Sequence, residues 1–174
     1  MINSIVKFVT PDQVSGIKIP SPATGQVLSS SAALGANAFD YVGSNVAIQL
    51  THGSIVSPVK GKIIDWQPNI AKVIIQTANK LRFLISLPLS YCDKYSLGIK
   101  PHIKVGQNVE VNDTLMTFDL FKLQQIEKHI YLIVALLDDK PFKSIYVPHK
   151  YVNAGEDIIF SLVPKSVIKN KEKT

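Results

Sequence analysis

Cysteine and long apolar stretches are scarce in this sequence of 174 residues. Cys92 is the only cysteine, so no disulfide can form within one chain. The longest uninterrupted apolar run, residues 130–137, falls well short of the roughly 20 residues that a membrane-spanning helix needs, and it predicts a buried strand. The first residues, 1–7, lack the charged, apolar and small-residue regions of a signal peptide. We therefore expect a cytoplasmic protein with no integral membrane segment.

Arginine is almost absent, and this bears on the meaning of the net charge of +6. Arg82 stands alone, whereas proteins that read bases or clamp phosphates depend heavily on the planar, bidentate guanidinium group. Half of the positive excess comes from the last ten residues, where four lysines accompany Glu172. The distribution indicates a solvated basic tail on a nearly neutral domain. We expect no nucleic-acid partner.

Histidine occurs only at His52, His102, His129 and His149. These positions show no metal-ligand spacing such as His-x-His or His-x-x-x-His. The sequence also has no Walker loop and no glycine-rich dinucleotide fingerprint. We expect neither a metal site nor a cofactor.

Turn residues, by contrast, are frequent and regularly spaced. Proline and glycine recur every 8–12 residues through most of the chain, with β-branched runs such as 46–50, 73–77 and 81–85 between them. Short strands separated by such turns are typical of an all-β domain. The clearest helical segment is Leu120 to Lys128, where apolar residues recur at helical spacing and Asp119 is placed as the N-cap.

The chain divides into three parts on these patterns. Residues 1–16 are predicted to be an N-terminal leader or docking segment, and residues 17–164 the β domain. Residues 165–174 are predicted to be a basic flexible tail.

A weak internal repeat runs through the β domain. Residues 21–28 and 57–64 share the frame Ser-Pro-x-x-Gly-x followed by two apolar residues. Each Pro-x-x-Gly turn leads into a strand that lies antiparallel to its neighbour. Duplicated strand-turn units of this kind favour a sandwich or a flattened barrel built from two similar halves.

Residues 104–119 are the most distinctive stretch, two short strands around an Asn-Asp turn that end in Phe118-Asp119. Together with segments 21–25, 39–48 and 55–63, this stretch resembles the glucose-type enzyme IIA of the bacterial sugar phosphotransferase system. The resemblance covers about residues 17–162. It implies an all-β fold, a duplicated hybrid-motif β-sandwich or flattened barrel with one short helix, with a phosphohistidine site in a shallow apolar depression.

The two histidines that the family uses have no counterpart here. Counting from Gly61 along the family motif puts Ala71 at the supporting position and Ser86 at the phosphoacceptor position. No histidine occurs between residues 53 and 101. A phosphoryl relay needs an imidazole nitrogen to accept the group and a neighbouring donor to hold its oxygens. We therefore predict no catalytic residue in this chain.

Two functions remain open. The first is a non-catalytic binding or regulatory module with a protein partner, since family members dock other proteins through an apolar rim around the site. The residues that the resemblance places in that rim are Phe39, Ala71, Leu84, Ser86 and Leu87. The alternative is a working phosphocarrier whose acceptor has moved to another histidine, His52 or His102.

Overall fold

A computed structural model describes residues 6–8, 14–34, 43–87 and 98–166. Within these residues the chain forms fifteen strands and two short helices. The strands are β1 Val6–Phe8, β2 Ile17–Pro20, β3 Gly25–Leu28, β4 Ser44–Leu50, β5 Ser54–Val56, β6 Gly61–Gln67, β7 Lys72–Gln76, β8 Arg82–Ser86, β9 Lys100–Pro101, β10 Asn108–Val109, β11 Thr114–Thr117, β12 Tyr131–Leu136, β13 Phe142–Val147, β14 Tyr151–Val152 and β15 Ile158–Pro164.

The strands form three sheets. The largest has eight strands in the order β10-β6-β7-β8-β12-β4-β3-β14, and the others run β1-β13-β15-β2 and β5-β11-β9. All neighbours are antiparallel except β1 and β13. One hydrophobic cluster takes side chains from all three sheets, for example Ile85 on β8, Phe160 on β15 and Leu115 on β11. The all-β prediction and its sandwich form are confirmed, and no sheet of the described residues closes into a barrel.

The centre of the large sheet explains the apolar run at residues 130–137. Within β12, the residues Leu132 to Leu136 are all buried, because β12 lies between β8 and β4 and is covered on both faces. Alternation of polar and apolar residues is lost in a strand buried on both faces. The sequence prediction of a buried strand here is confirmed.

The helices are α1 Ser30–Leu34 and α2 Leu120–Gln124, each of five residues. The Asp119 side chain accepts a hydrogen bond from the Lys122 main-chain N–H at 3.2 Å, so the predicted N-cap is confirmed. The helix ends at Gln124, earlier than the predicted Lys128. The helix α1 was not expected, since five residues give no periodic apolar pattern to detect. Among the described residues no helix is both long and apolar enough to span a membrane.

The internal repeat is visible in the hydrogen bonds of its two serines. The Ser21 hydroxyl donates to the Ala23 carbonyl at 2.7 Å, and the Ser57 hydroxyl donates to the Val59 carbonyl at 2.7 Å. Both serines are fully buried. A buried hydroxyl is tolerated because its hydrogen bond offsets the loss of water, so each serine fixes the Pro-x-x-Gly turn that follows it.

The two later turns that hydrogen-bond to these serines also match each other. Glu110 N–H donates to the Asp113 carboxylate at 2.8 Å, and Asn153 N–H donates to the Asp157 carboxylate at 2.8 Å. The four main-chain bonds that join turns and serines are Ser21 N to Asp157 O, Gly155 N to Ser21 O, Ser57 N to Asp113 O and Asn112 N to Ser57 O, all between 2.7 and 2.8 Å. The repeat therefore includes these later turns, which the sequence frame alone did not reveal.

Both chain ends contribute described residues to the sheets. In the segment predicted as a leader, β1 pairs in parallel with β13, and Phe8 makes an edge-on ring contact with His149 at 5.6 Å between centroids. At the other end, Lys165 N–H donates to the Pro141 carbonyl at 2.9 Å. The predicted tail beyond residue 166 lies outside the described residues, and the three-part division of the chain stays a prediction.

Candidate functional site

The strands β7 and β8 bring the two sequence-predicted site positions together. Ser86 lies opposite Lys72 in the antiparallel register, and Ala71 immediately precedes Lys72. Leu87 N–H donates to the Ala71 carbonyl at 3.4 Å, which extends the pairing by one step beyond the strand ends. Ala71 and Ser86, the two positions that the resemblance assigns to the family's histidines, therefore form one local unit at the end of this hairpin.

Ala71 occupies an unusual backbone position. It caps a single 3-10 turn at Pro68–Ile70 with φ 41° and ψ 48°, and its N–H donates to the Pro68 carbonyl at 3.3 Å. The left-handed region costs a residue with a Cβ roughly 1–2 kcal/mol. Its methyl group is fully buried and has no donor, acceptor or titratable atom, so it has no direct role in phosphoryl chemistry.

The Ser86 hydroxyl is committed to the main chain. It donates to the Leu87 carbonyl at 3.0 Å, with the Ile70 carbonyl also within reach at 3.4 Å. The residue is 6% exposed. Among the described residues, the hydrogen-bond partners of this hydroxyl include no imidazole and no carboxylate. An adjacent base of that kind activates a serine nucleophile, so the described contacts are those of a structural serine.

The residues predicted to form the partner rim are divided between two environments. Ala71 and Leu87 are fully buried in the main hydrophobic cluster, whereas Leu84 and Ser86 are buried outside it with 6% of each exposed. Phe39 lies outside the described residues. A docking surface needs exposed side chains, so the rim stays a prediction and none of its described members offers much surface.

The sequence did not assign the buried neighbours of Leu84 and Ser86 on the adjacent strands to the candidate site. Ala135 on β12 pairs with Leu84, and Ile133 pairs with both Ser86 and Ala47. These three neighbours are buried but are not part of the main cluster. The signal that could have identified them is the apolar run 130–137, because a strand that is apolar at every position has an apolar outer face.

His52 and His102, the acceptor candidates of the phosphocarrier alternative, are exposed and lie outside β7 and β8. His52 Nδ1 is 3.0 Å from Thr51 Oγ1, and His102 Nε2 is 2.9 Å from Thr117 Oγ1. Each imidazole therefore has a hydroxyl neighbour and no second imidazole in those contacts. Across the described ranges no three His, Cys, Asp or Glu side chains form a group able to hold a metal ion.

The strongest charge pair near the hairpin joins the start of β8 to the loop after β12. Arg82 Nη2 and Nε donate to the two Asp138 carboxylate oxygens at 2.8 and 2.9 Å, and the Arg82 main-chain N–H donates to the same carboxylate at 2.9 Å. The hydrogen bonds from the Arg82 side chain lower the pKa of Asp138 below its ordinary value. Because Asp138 binds Arg82 and Asp139 accepts from Ser44 at 2.8 Å, the adjacent carboxylates are structural.

The Asp138→Asn variant should show this linkage as a change in pH dependence. A carboxyl group with a lowered folded-state pKa adds stability above its unfolded pKa of about 4, and that stability is lost as the pH falls. In urea unfolding the variant is therefore expected to be less stable than the wild type at about pH 6, with the gap narrowing towards about pH 3. A gap that stays constant over this range would contradict the assignment.

The comparisons with known proteins identify the family of this chain. The family model described as "phosphoenolpyruvate-dependent sugar phosphotransferase system, EIIA 1" matches residues 17–142. The glucose-specific EIIA component of Oceanobacillus iheyensis is 27% identical over 164 residues, which is 92% of this chain and 90% of that protein. The glucose-specific EIIA component of Bacillus cereus is 29% identical over 104 residues, 60% of this chain and 63% of that protein.

The fold also has a match among solved structures. Glucose permease IIA from Mycoplasma capricolum superposes with a TM-score of 0.69 at 20% identity, covering 84% of this chain and 96% of that one. At this identity the match concerns the fold, and it agrees with the sandwich described above.

Proposed function

Because the chain belongs to the EIIA 1 family of the phosphoenolpyruvate-dependent sugar phosphotransferase system, we propose that it is a non-catalytic member that acts in the cytoplasm by binding or regulating another protein. The observation that supports this proposal is that Ala71 and Ser86, the positions which the resemblance assigns to the two histidines, lie together at the end of the β7–β8 hairpin. Neither side chain provides a nitrogen nucleophile, and no histidine lies between residues 53 and 101.

The chemistry of a relay supports the same conclusion. A phosphorylated imidazole keeps a high transfer potential, whereas a serine phosphate is a stable ester and a poor donor to the next protein. The Ser86 hydrogen is held by main-chain carbonyls, and Ala71 has nothing to donate to phosphoryl oxygens. Stabilisation of developing charge needs a preorganised donor at that point, so the unit at the end of the hairpin suits a structural role.

A labelling experiment tests the proposal. The chain is incubated with radiolabelled phosphoenolpyruvate, enzyme I and the phosphocarrier protein, with the Oceanobacillus iheyensis component treated in parallel as the positive control. We expect label on the control and less than about one hundredth of that amount on this chain, since removal of a catalytic nucleophile costs several orders of magnitude in rate. Stoichiometric acid-labile phosphate on this chain would refute the non-catalytic function.

The second candidate function is a phosphocarrier with a relocated acceptor. It is favoured by the exposure of His52 and His102 and by the threonine hydroxyl beside each ring. If label does appear, separate His52→Gln and His102→Gln variants identify the acceptor, because only loss of the true acceptor abolishes labelling. His129→Gln serves as the matched control, an exposed histidine whose Nδ1 is 2.9 Å from Gln49 Nε2.

A further inference from the structure

An open depression lies at the opposite end of the β7–β8 hairpin from Ala71 and Ser86. It has a volume of about 710 Å³ and is lined by three segments, residues 60–62, 76–80 and 108–110. The register pairs Gln76 with Arg82 at this end and Lys72 with Ser86 at the other. Four strand steps of about 3.3 Å each separate the two ends, so the depression is distinct from the family site.

Positive charge is in excess around the depression. Among the described residues its lining includes Lys60, Lys62 and Lys80 and a single acidic residue, Glu110. Glu110 binds Lys60 with an N–O distance of 2.7 Å. In the part of the chain that the structure describes, Lys62 and Lys80 have no carboxylate within ion-pair distance. Two ammonium groups are therefore available to an anion.

Lys80 occupies a position that a lysine does not favour. Its φ is +66°, in the left-handed region, within the turn where Lys80 N–H donates to the Thr77 carbonyl at 3.0 Å. Glycine or asparagine adopts this conformation at lower cost. A strained residue is a pointer to function only when an independent feature agrees, and here the same side chain lines the positively charged depression.

Neutral donors complete the lining. The side-chain amides of Gln76, Asn79 and Asn108 make no hydrogen bond within the described ranges. Amides of this kind can donate to and accept from hydroxyl groups. The described lining residues include no aromatic residue and no arginine, so they do not offer the stacking surface on which single-stranded nucleic acids rely.

We propose that this depression binds a small phosphate ester that also carries hydroxyl groups. Lys62 and Lys80 would hold the phosphate as point charges, and the amides of Gln76, Asn79 and Asn108 would bind the hydroxyl groups. The volume lies within the range of about 300–1,000 Å³ that small-molecule sites occupy, and it exceeds what a bare phosphate ion fills. The proposal does not depend on the absence of phosphotransfer at Ala71 and Ser86.

Calorimetric titration with ribose 5-phosphate tests the proposal, with inorganic phosphate and ribose as separate arms. We expect saturable binding of the ester with a Kd below about 1 mM, weaker binding of inorganic phosphate and none of ribose. Amide chemical shifts should change in residues 76–80 and 108–110. Binding of inorganic phosphate as tight as that of the ester would mean an adventitious ion only and would overturn the proposal, as would the absence of saturable ester binding.

Two lysine variants and a matched control assign the charge. Lys62→Ala and Lys80→Asn are each expected to weaken ester binding at least about tenfold, because each removes a charge-assisted contact. Lys80→Asn should unfold at the same or a higher urea concentration than the wild type, since asparagine tolerates the left-handed turn. The control is Lys143→Ala, an exposed lysine on β13 outside the depression, for which we expect less than about a twofold change. Equal weakening by all three variants would overturn the assignment.

Discussion

Replacement of Gly25 by alanine is expected to destabilise the fold by about 3 kcal/mol or more, towards the upper end for overpacking of a tightly packed site. A Cβ at Gly25 would lie 2.0 Å from the Gln49 carbonyl oxygen, far inside contact distance. That carbonyl belongs to the main chain of β4, which pairs with both β3 and β12, so it cannot rotate away as a side chain could. The strand pairing itself has to shift.

The internal repeat provides a second variant whose expected cost in stability can be compared with that of Gly25→Ala. A Cβ at Gly61, the matching position in the second half, would lie 2.5 Å from the Gln76 carbonyl oxygen, so Gly61→Ala should cost less than Gly25→Ala. Urea unfolding followed by circular dichroism measures both. Gly106→Asn is the control, because its φ is +88° and a Cβ there meets nothing within 4 Å; we expect a cost under about 1 kcal/mol. A wild-type urea midpoint for Gly25→Ala would show that β3 and β4 are not packed as described.

Replacement of Leu84 by aspartate is expected to cost about 3–5 kcal/mol at neutral pH, because it puts an unpaired carboxylate into a buried position. Leu84 is 6% exposed and its strand partners are Ile74 and Ala135, neither of which can hydrogen-bond a carboxylate through its side chain. Lys72, two residues before Ile74, already contacts Asp65 at 3.5 Å. This lysine is therefore already engaged and is not free to pair with the new carboxyl group.

The pH dependence separates charge from shape in this variant. Burial raises the pKa of a carboxyl group, so the folded variant takes up a proton more readily than the unfolded chain and is destabilised as the pH rises. Leu84→Asn, which has nearly the same shape without the charge, is the matched control. We expect the two variants to be about equally stable near pH 3 and the aspartate variant to be less stable than the asparagine variant near pH 7. Equal stability at both pH values would show that position 84 is accessible to water.

This result also decides how the predicted partner rim can be tested. Loss of partner binding by Leu84→Asp or by the same change at Leu87 would follow from unfolding alone, since both leucines are buried. Ile74 on β7 lies opposite Leu84 and is only half-buried. Substitution at Ile74 therefore probes the outer face of the sheet with less damage to the core.

Much of the architecture could be predicted from local sequence signals. The turn residues, the apolar run 130–137 and the N-cap Asp119 each act through short-range chemistry, and each was confirmed. The repeat that contains Ser21 and Ser57 could be recognised in the sequence because the same Ser-Pro-x-x-Gly frame forms the same kind of turn twice. The later turns that receive these serines have different sequences, 110–113 and 153–157, so their equivalence appeared only in the hydrogen bonds.

The arrangement of the candidate site residues could be predicted less well from the sequence, and the reason is geometric. Residues two apart in a strand share a face, whereas an odd offset reverses it. Leu84 and Ser86 therefore lie together, while Leu87 and Ala71 belong to the main cluster. The resemblance placed all of these residues in one rim without regard to the face on which each side chain lies. The left-handed backbone of Ala71 could not be predicted either, because alanine gives no signal for that conformation.

The lengths of the edge strands have a consequence for how this chain behaves at high concentration. The outermost strands of the three described sheets are β10 and β14, β1 and β2, and β5 and β9, and none is longer than four residues. Pro20 and Pro101 remove main-chain donors from two of them. Short edges interrupted by proline give another chain little unpaired backbone to extend. The sheets thus resist edge-to-edge aggregation even though their strands are rich in β-branched residues.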